Sequence, residues 1–345
     1  MKKSMLLGTT LILIFAILLS ACGKDSNNQA SVSPGSSNSA VSGEASTVKS
    51  EPFTISIGIN GGSNQLKLAQ NKGWFEEEFA KINGKVEISD FQSGPQAIES
   101  IAAKRLDVTT LVDGGVITAL AGKVDLKLTS FLSTGLKGIN YIIVPKGSDV
   151  KELADLKGKQ IALAKGTTNH VFFVKALKSV GLKESDVNIV NLLIPDAQPA
   201  FESGQLDAWV TADPFAYQEV NKNGATIIGS GESLNIASPV FTAFRADFTK
   251  EHPEAIEAYL RVVQKAVDYE KANYDEALKT YAELKKQDVA LVKVLADNYG
   301  SQNEVIPDDV VTELQASADL LLELGFLKEK IDVSKIVDNS FIQNK

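Results

Sequence analysis

Cysteine occurs once in the 345 residues, histidine twice and arginine three times, and each scarcity removes a class of function. One cysteine cannot close an internal disulfide, and with two histidines it leaves no Cys/His set for a zinc site. Neither a metal nor a cofactor is expected. Arginine at only Arg105, Arg245 and Arg261 leaves few forks to clamp a carboxylate. Arg245 alone falls near an expected chain crossover. Net positive charge is missing too: the formal balance is −8, which argues against a nucleic-acid partner. The patterns GxxxxGKS, GxxxxGKT and GxSxG do not occur, which excludes a Walker-type phosphate loop and a nucleophile elbow. Carboxylates are numerous but fall mostly on amphipathic helices, where a solvated face accounts for them. The chain reads as a non-enzyme.

A single long apolar run is present, "MLLGTTLILIFAILLSAC", behind Lys2 and Lys3, in the order of a secretory signal. It ends with Leu19, Ser20 and Ala21 before Cys22, which resembles the lipobox of bacterial lipoproteins and implies lipid on that thiol; the plainer reading is an ordinary cleavage site. From Gly23 to Ser50 the chain has no aromatic residue and is rich in Ser, Asn and Gly. Such a segment buries too little apolar surface to offset its ordering entropy. The expected organisation is a lipoprotein signal peptide over 1–21 and a lipidated Cys22 with a flexible linker over 22–51. Anchoring by two or more acyl chains places the folded part outside the cell, on the bacterial cell membrane.

Beyond the linker, strand-like runs at 53–59, 85–91, 106–112 and 127–132 alternate with helical patterns such as 64–81. That alternation predicts α/β architecture with largely parallel sheets. A second series follows, with strands at 159–166, 188–194, 206–212 and 225–230 and helices near 168–180, 196–203 and 214–223. The restart is visible residue by residue: "AIESIAAKRLDVTTLVD" lies one hundred positions before "AQPAFESGQLDAWVTAD". Ala97, Leu106, Asp107 and Asp113 match Ala197, Leu206, Asp207 and Asp213. The turn "GINGGSNQ" parallels "LAKGTTNH", each placing glycine and a hydroxyl residue between a strand and a helix. Chance similarity between two βαβ units is the competing reading. Two open α/β lobes would present helix N-termini at the carboxyl edges of their sheets, where ligands of such sheets bind.

The stretch "ALAKGTTNHVFFVK" (162–175) asks what that turn holds. Thr167 or Thr168 can cap the following helix, and exposed amides at a helix start attract anions. An anion site and a well-capped helix are both open.

Five stretches together, "FQSGPQAIESIAAKRLDV", "LADLKGKQIALAKGTTNHVFFVKAL", "GLKESDVNIVNL", "AFESGQLDAWVTADPF" and "ADLLLELGFLKEKIDVSKIVDNSF", resemble the solute-binding proteins of ABC importers in the aliphatic sulfonate, nitrate and taurine group. The aliphatic sulfonate branch is the most similar. The resemblance implies a type II periplasmic-binding-protein fold: lobe one over 52–145 and again over 240–345, lobe two over 146–239, and a ligand cleft between. It also implies capture of a small anionic solute and delivery to a membrane permease with a separate ATPase subunit. Nitrate, taurine, a thiamine pyrimidine precursor, or a sensor or enzyme on the same clamshell are the alternatives. The pyrimidine-synthesis activity of a related fold goes with a cysteine-rich motif that this chain lacks.

The family's ligand loops map onto this sequence as follows. "NGGSN" offers Ser63 and Asn64, with a helix cap as the equal alternative for Ser63. "QSGPQ" offers Ser93 and Gly94. Gly166, Thr167, Thr168 and His170 form the third loop; His170 can instead face solvent or pack locally, and Lys165 is placed outside. Asp113 and Gly114 stand where the family often has Gly-Asp-Thr, but the hydroxyl after the aspartate is missing. A carboxylate there receives backbone amides or meets an ammonium on a zwitterion. Asp213 carries the same ambiguity, with helix capping before Pro214 as its other reading. Trp209 packs under an alkyl tail or fills core.

Overall fold

The computed structural model of the protein describes residues 51–60, 64–91 and 93–343. The expectations for the signal peptide, for Cys22 with the linker up to residue 50, and for Ser63 lie outside those residues. In chain order, β1 (Phe53–Asn60) leads into α1 (Asn64–Asn71) and α2 (Trp74–Ala80), β2 (Gly84–Phe91) into α3 (Gly94–Ala102), and β3 (Val108–Val112) into α4 (Asp113–Ala121), before β4 (Leu126–Ser133). The second series is β5 (Tyr141–Val144), β6 (Gln160–Leu163), α5 (Thr168–Ser179), β7 (Asn188–Asn191), α6 (Ile194–Glu202), β8 (Ala208–Thr211), α7 (Phe215–Gln218), β9 (Thr226–Ser230) and α8 (Gly231–Leu234). β10 (Val240–Arg245) then precedes α9 (Ala246–Glu251), α10 (Pro253–Ala272), α11 (Tyr274–Lys285), α12 (Val289–Tyr299), α13 (Asp308–Glu323) and α14 (Ser340–Gln343).

The strands form two five-stranded sheets of the same topology, β2-β1-β3-β10-β4 and β7-β6-β8-β5-β9. Within each, four strands run one way and the fifth, which arrives from the other lobe, runs antiparallel between two of them: β10 between β3 and β4, β5 between β8 and β9. The sheets are therefore mixed, each with one reversed strand. Periodicity marks a strand but not its direction, and a chain returning through a crossover enters from the opposite end. The expected boundary at 145 shifts for the same reason. β5 pairs in sheet two, so the chain crosses between lobes over 134–140 and again over 235–239. The predicted helix over 64–81 is broken at Gly73, whose φ of 70° is easy only for glycine.

Each sheet is covered on both faces, so its strands read as apolar runs. Ile55, Ile57 and Ile59 pack with α2 and α10, while Leu111, Leu128 and Phe241 pack with α4 and α13. In sheet two, Ile161 and Val210 meet α5, and Ala162 and Trp209 meet α6. The internal repeat extends to its hydrogen bonds. The Ser56 N–H donates to the Asp107 carboxylate at 2.8 Å, and the Asp107 N–H returns to the Ser56 carbonyl at 2.9 Å; Gln160 and Asp207 make the same two bonds at 2.8 and 2.9 Å. Chance would not reproduce a side-chain to backbone bond at matching strand positions.

Candidate functional site

A helix that follows a parallel strand starts at that strand's carboxyl end. Hence α1, α3 and α4 start along one edge of sheet one, and α5, α6 and α7 along one edge of sheet two. The two edges meet: the Gly114 N–H donates to the Thr168 hydroxyl at 3.2 Å, and the Thr118 hydroxyl donates to the Gly166 carbonyl at 2.8 Å. No side-chain hydrogen bond caps α3, α5 or α6. The His170 and Asp196 amides bond back to the Thr167 and Leu193 carbonyls at 3.0 Å, and the second residue of α3 and of α6 is a proline without an N–H; the amides ahead of these lie outside the helix's own bonding pattern, and the helix dipoles favour negative charge between the lobes.

Around α4 and α5 the lobes interlock. Asp113 is 1% exposed, and its carboxylate accepts the Gly114 N–H at 2.6 Å and a bond from Thr168. Burial pushes its carboxyl up to about 6, against the opposing pull of the Gly114 amide and of Lys175. Asp113 thus receives one backbone amide, that of Gly114, and lies between two facing helix starts. Gly114 is required there: a Cβ on it would lie 2.2 Å from the Thr168 nitrogen. The Thr167 hydroxyl turns back to the Ala164 carbonyl at 2.7 Å. Both threonine hydroxyls are therefore engaged within the protein, and what this loop offers a solute is backbone. Lys175 on α5 reaches Glu313, and Ser317 at 2.9 Å, on α13 of lobe one.

His170 does not face the cleft. Its ring is fully buried, Nδ1 accepts the Gly166 N–H at 3.2 Å, and Nε2 stands 3.3 Å from Glu184. Burial holds the imidazole pKa below the ordinary histidine value. Phe326, arriving after α13, meets the ring edge-on at 4.5 Å. Local packing, the plainer reading, is the observed one. Trp209 is likewise fully buried, between Phe201 and Phe215 at centroid distances of 5.6 and 6.0 Å, with no partner for its indole N–H among the described residues. It fills core.

Ser93 and Gly94 are placed differently. Ser93 sits at the extended residue before α3 with a half-buried side chain that makes no cap bond, and a Cβ on Gly94 would meet nothing within 4 Å among the described residues. Asn64, 2% exposed at the start of α1, has a side-chain carbonyl without a partner among the described residues.

Asp213 joins a polar cluster beside the first crossover. Its carboxylate accepts the Tyr141 hydroxyl at 3.2 Å, the Asn298 side-chain amide at 3.0 Å and the Tyr217 N–H at 3.2 Å. The last bond is the capping role, and the Asn298 bond ties lobe two to the end of α12. Burial raises the Asp213 carboxyl, and burial with the Asp213 charge keeps the Tyr141 hydroxyl protonated. Thr118, Tyr141, Glu184 and Asn298 were invisible to sequence reasoning because they belong to no local motif. Asn298 reaches the cluster from 85 residues away.

The arginines lie elsewhere. Arg245 ends β10, at the amino edge of the parallel strands, and bonds Asp107 at 2.7 Å and Asp247; Arg261 bonds Glu78 at 2.7 Å. Among the described residues no cluster of three or more His, Cys, Asp or Glu side chains is placed to hold a metal ion.

A family model described as "NMT1/THI5 like" matches residues 63–277. A Bacillus subtilis (strain 168) protein named for aliphatic sulfonate binding is 37% identical over 84% of this chain and 87% of its own length. The chain belongs to the NMT1/THI5-like family. Its place among the NMT1/THI5-like solute-binding proteins is reinforced by the alkanesulfonate-binding protein SsuA of Xanthomonas axonopodis pv. citri, solved with bound MOPS. That structure matches with a TM-score of 0.76 at 25% identity, over 84% of this chain and 99% of its own. The fold is the two-lobed periplasmic-binding-protein fold, and the role that goes with it is solute binding. The desulfurization enzyme DSZB matches with a TM-score of 0.65 at 15% identity, over 85% and 98% of the two chains, a likeness of fold alone.

Proposed function

We propose that this NMT1/THI5-like protein is the solute-binding component of an ABC importer and takes a small aliphatic sulfonate between its lobes. The observation that carries the reading is the start of α3, where the Ser93 hydroxyl makes no cap bond and a Cβ on Gly94 would meet no described atom within 4 Å, at a sheet edge with no arginine. A sulfonate spreads one charge over three acceptor oxygens and suits such donors. Ser93 and Gly94 with Asn64 form the lobe-one side, and the Gly166–Thr168 backbone the lobe-two side. Leu193, 57% exposed before α6, offers apolar surface to a short alkyl chain.

A hydrogen bond to a charged group contributes roughly 1.5–3 kcal/mol, and micromolar affinity requires about 8 kcal/mol. Several donors are needed, more than one loop supplies. Capture therefore couples to contact between the lobes. The protein is not an enzyme in this reading: it hands the solute to a membrane permease driven by a separate ATPase subunit, from a lipid anchor at Cys22 on the outer face of the bacterial membrane.

Calorimetry against alkanesulfonates, taurine, nitrate, sulfate and an aminopyrimidine tests it. Alkanesulfonates are expected to bind, and Ser93→Ala to weaken them about 10- to 100-fold, the equivalent of one charge-assisted bond. Binding of the aminopyrimidine alone refutes the sulfonate reading, and turnover of any bound compound refutes the transport reading.

A further inference from the structure

Gly166 sits in the left-handed region at φ +77°, and its peptide groups are held from two sides. The carbonyl accepts the Thr118 hydroxyl of lobe one at 2.8 Å, and the N–H donates to His170 Nδ1 at 3.2 Å. A glycine with that φ has no side chain to restrain it and many alternatives to choose from. Something else must select its conformation. The imidazole does so from beneath, four residues along the chain and fully buried. The ring itself is oriented: with Nδ1 accepting, the proton resides on Nε2 and points at the Glu184 carboxylate, 3.3 Å away, which Lys165 holds at 3.0 Å on its other oxygen. Phe326 of lobe one closes the remaining side.

We propose that His170 is the positioning residue of the Gly166–Thr168 loop: its Nδ1 holds the Gly166 peptide in the shape that Thr118 and Gly114 of the opposite lobe meet. It acts through the loop and touches no solute. The lobe-one partners, Thr118 to Gly166 and Gly114 to Thr168, bracket the residues whose conformation His170 sets. This assignment rests on the reading of the lobe contact as part of sulfonate capture.

Two substitutions separate positioning from bulk. His170→Asn keeps an acceptor close to the place of Nδ1, whereas His170→Gln extends its polar group toward the place of Nε2 and leaves Gly166 without a partner. In the full chain, backbone amide exchange at Gly166 is expected to stay slow in wild type and His170→Asn, and to quicken at least 10-fold in His170→Gln. Ethanesulfonate affinity should remain within 3-fold of wild type in the asparagine variant and fall about 10-fold in the glutamine variant, the size of one hydrogen bond. Unchanged Gly166 exchange in His170→Gln, or an asparagine variant as impaired as the glutamine one, overturns the proposal. If His170→Gln fails to fold, the asparagine variant still decides, since fast Gly166 exchange in it refutes the role. Should wild type bind no sulfonate, the proposed function falls, while the exchange comparison continues to test the positioning.

Discussion

Asp113 is a carboxylate that the fold holds against its own solvation, and this gives it a measurable pH signature. Its carboxyl is raised to about 6 in the folded protein, against 3.8 for the free group. Between those values the native state binds more protons than the unfolded chain, so stability falls as pH rises from about 4 through 6. At neutral pH the buried charge costs on the order of 2–3 kcal/mol. Asp113→Asn keeps an acceptor for the Gly114 amide and removes the charge. Urea denaturation is expected to show the variant about 1–2 kcal/mol more stable than wild type at pH 7 and no different at pH 4; a loss at pH 7 would mean that the charge stabilises the two helix starts by more than its burial costs. His170 has the opposite sign. Its folded pKa is lowered, so its contribution favours the folded state at higher pH and weakens as acid protonates the unfolded chain first.

The helices α4 and α5 set how closely the lobes approach. They meet start to start, with Gly114 against Thr167 and Thr168. An alanine at 114 would put its Cβ 2.2 Å from the Thr168 nitrogen and 2.7 Å from the Thr167 carbonyl carbon. Those are backbone atoms, which no rotamer change can move aside, so the two helices must separate. Gly114→Ala is expected to weaken sulfonate binding at least 100-fold and to enlarge the radius of gyration in solution scattering, with the helical signal in circular dichroism intact. Wild-type affinity and size in that variant would show that this contact does not limit closure. The α12 end works from the other side, where Asn298 and Tyr299 reach Asp213 and the Gly138 carbonyl, the latter at 3.3 Å. Both contacts join lobes through parts of the C-terminal helical region or of α4.

The two crossovers run side by side: the Asn140 side chain donates to the Ser238 hydroxyl at 2.7 Å, and the Ser238 N–H to the Thr134 carbonyl at 3.1 Å. A Cβ on Gly135 would lie 1.9 Å from the Ser238 carbonyl oxygen. The lobes are thus joined by two short segments held against each other. For the molecule in its cell, the proposed lipid anchor at Cys22 is open to a direct test. Cys22→Ser is expected to abolish palmitate labelling and release the protein from the membrane fraction, and undiminished labelling would refute lipid attachment at that thiol. Much of this architecture was legible in the chain, because strand and helix periodicity and the hundred-residue repeat are local patterns that solvent imposes on any sequence forming two covered sheets. Asp107 and Asp207, Ala97 and Ala197 could be paired by eye; the two aspartates make matching backbone bonds, and the two alanines are both fully buried. Strand direction, the place of β5 and the break at Gly73 were not legible, since they depend on where the chain returns and on single backbone angles. Nor was the division of labour among the polar residues. Ser93, His170, Trp209 and Asp113 are all plausible ligands on paper; which one stays half-buried and which is buried follows from packing between segments tens of residues apart, and burial is the property that a linear pattern does not carry.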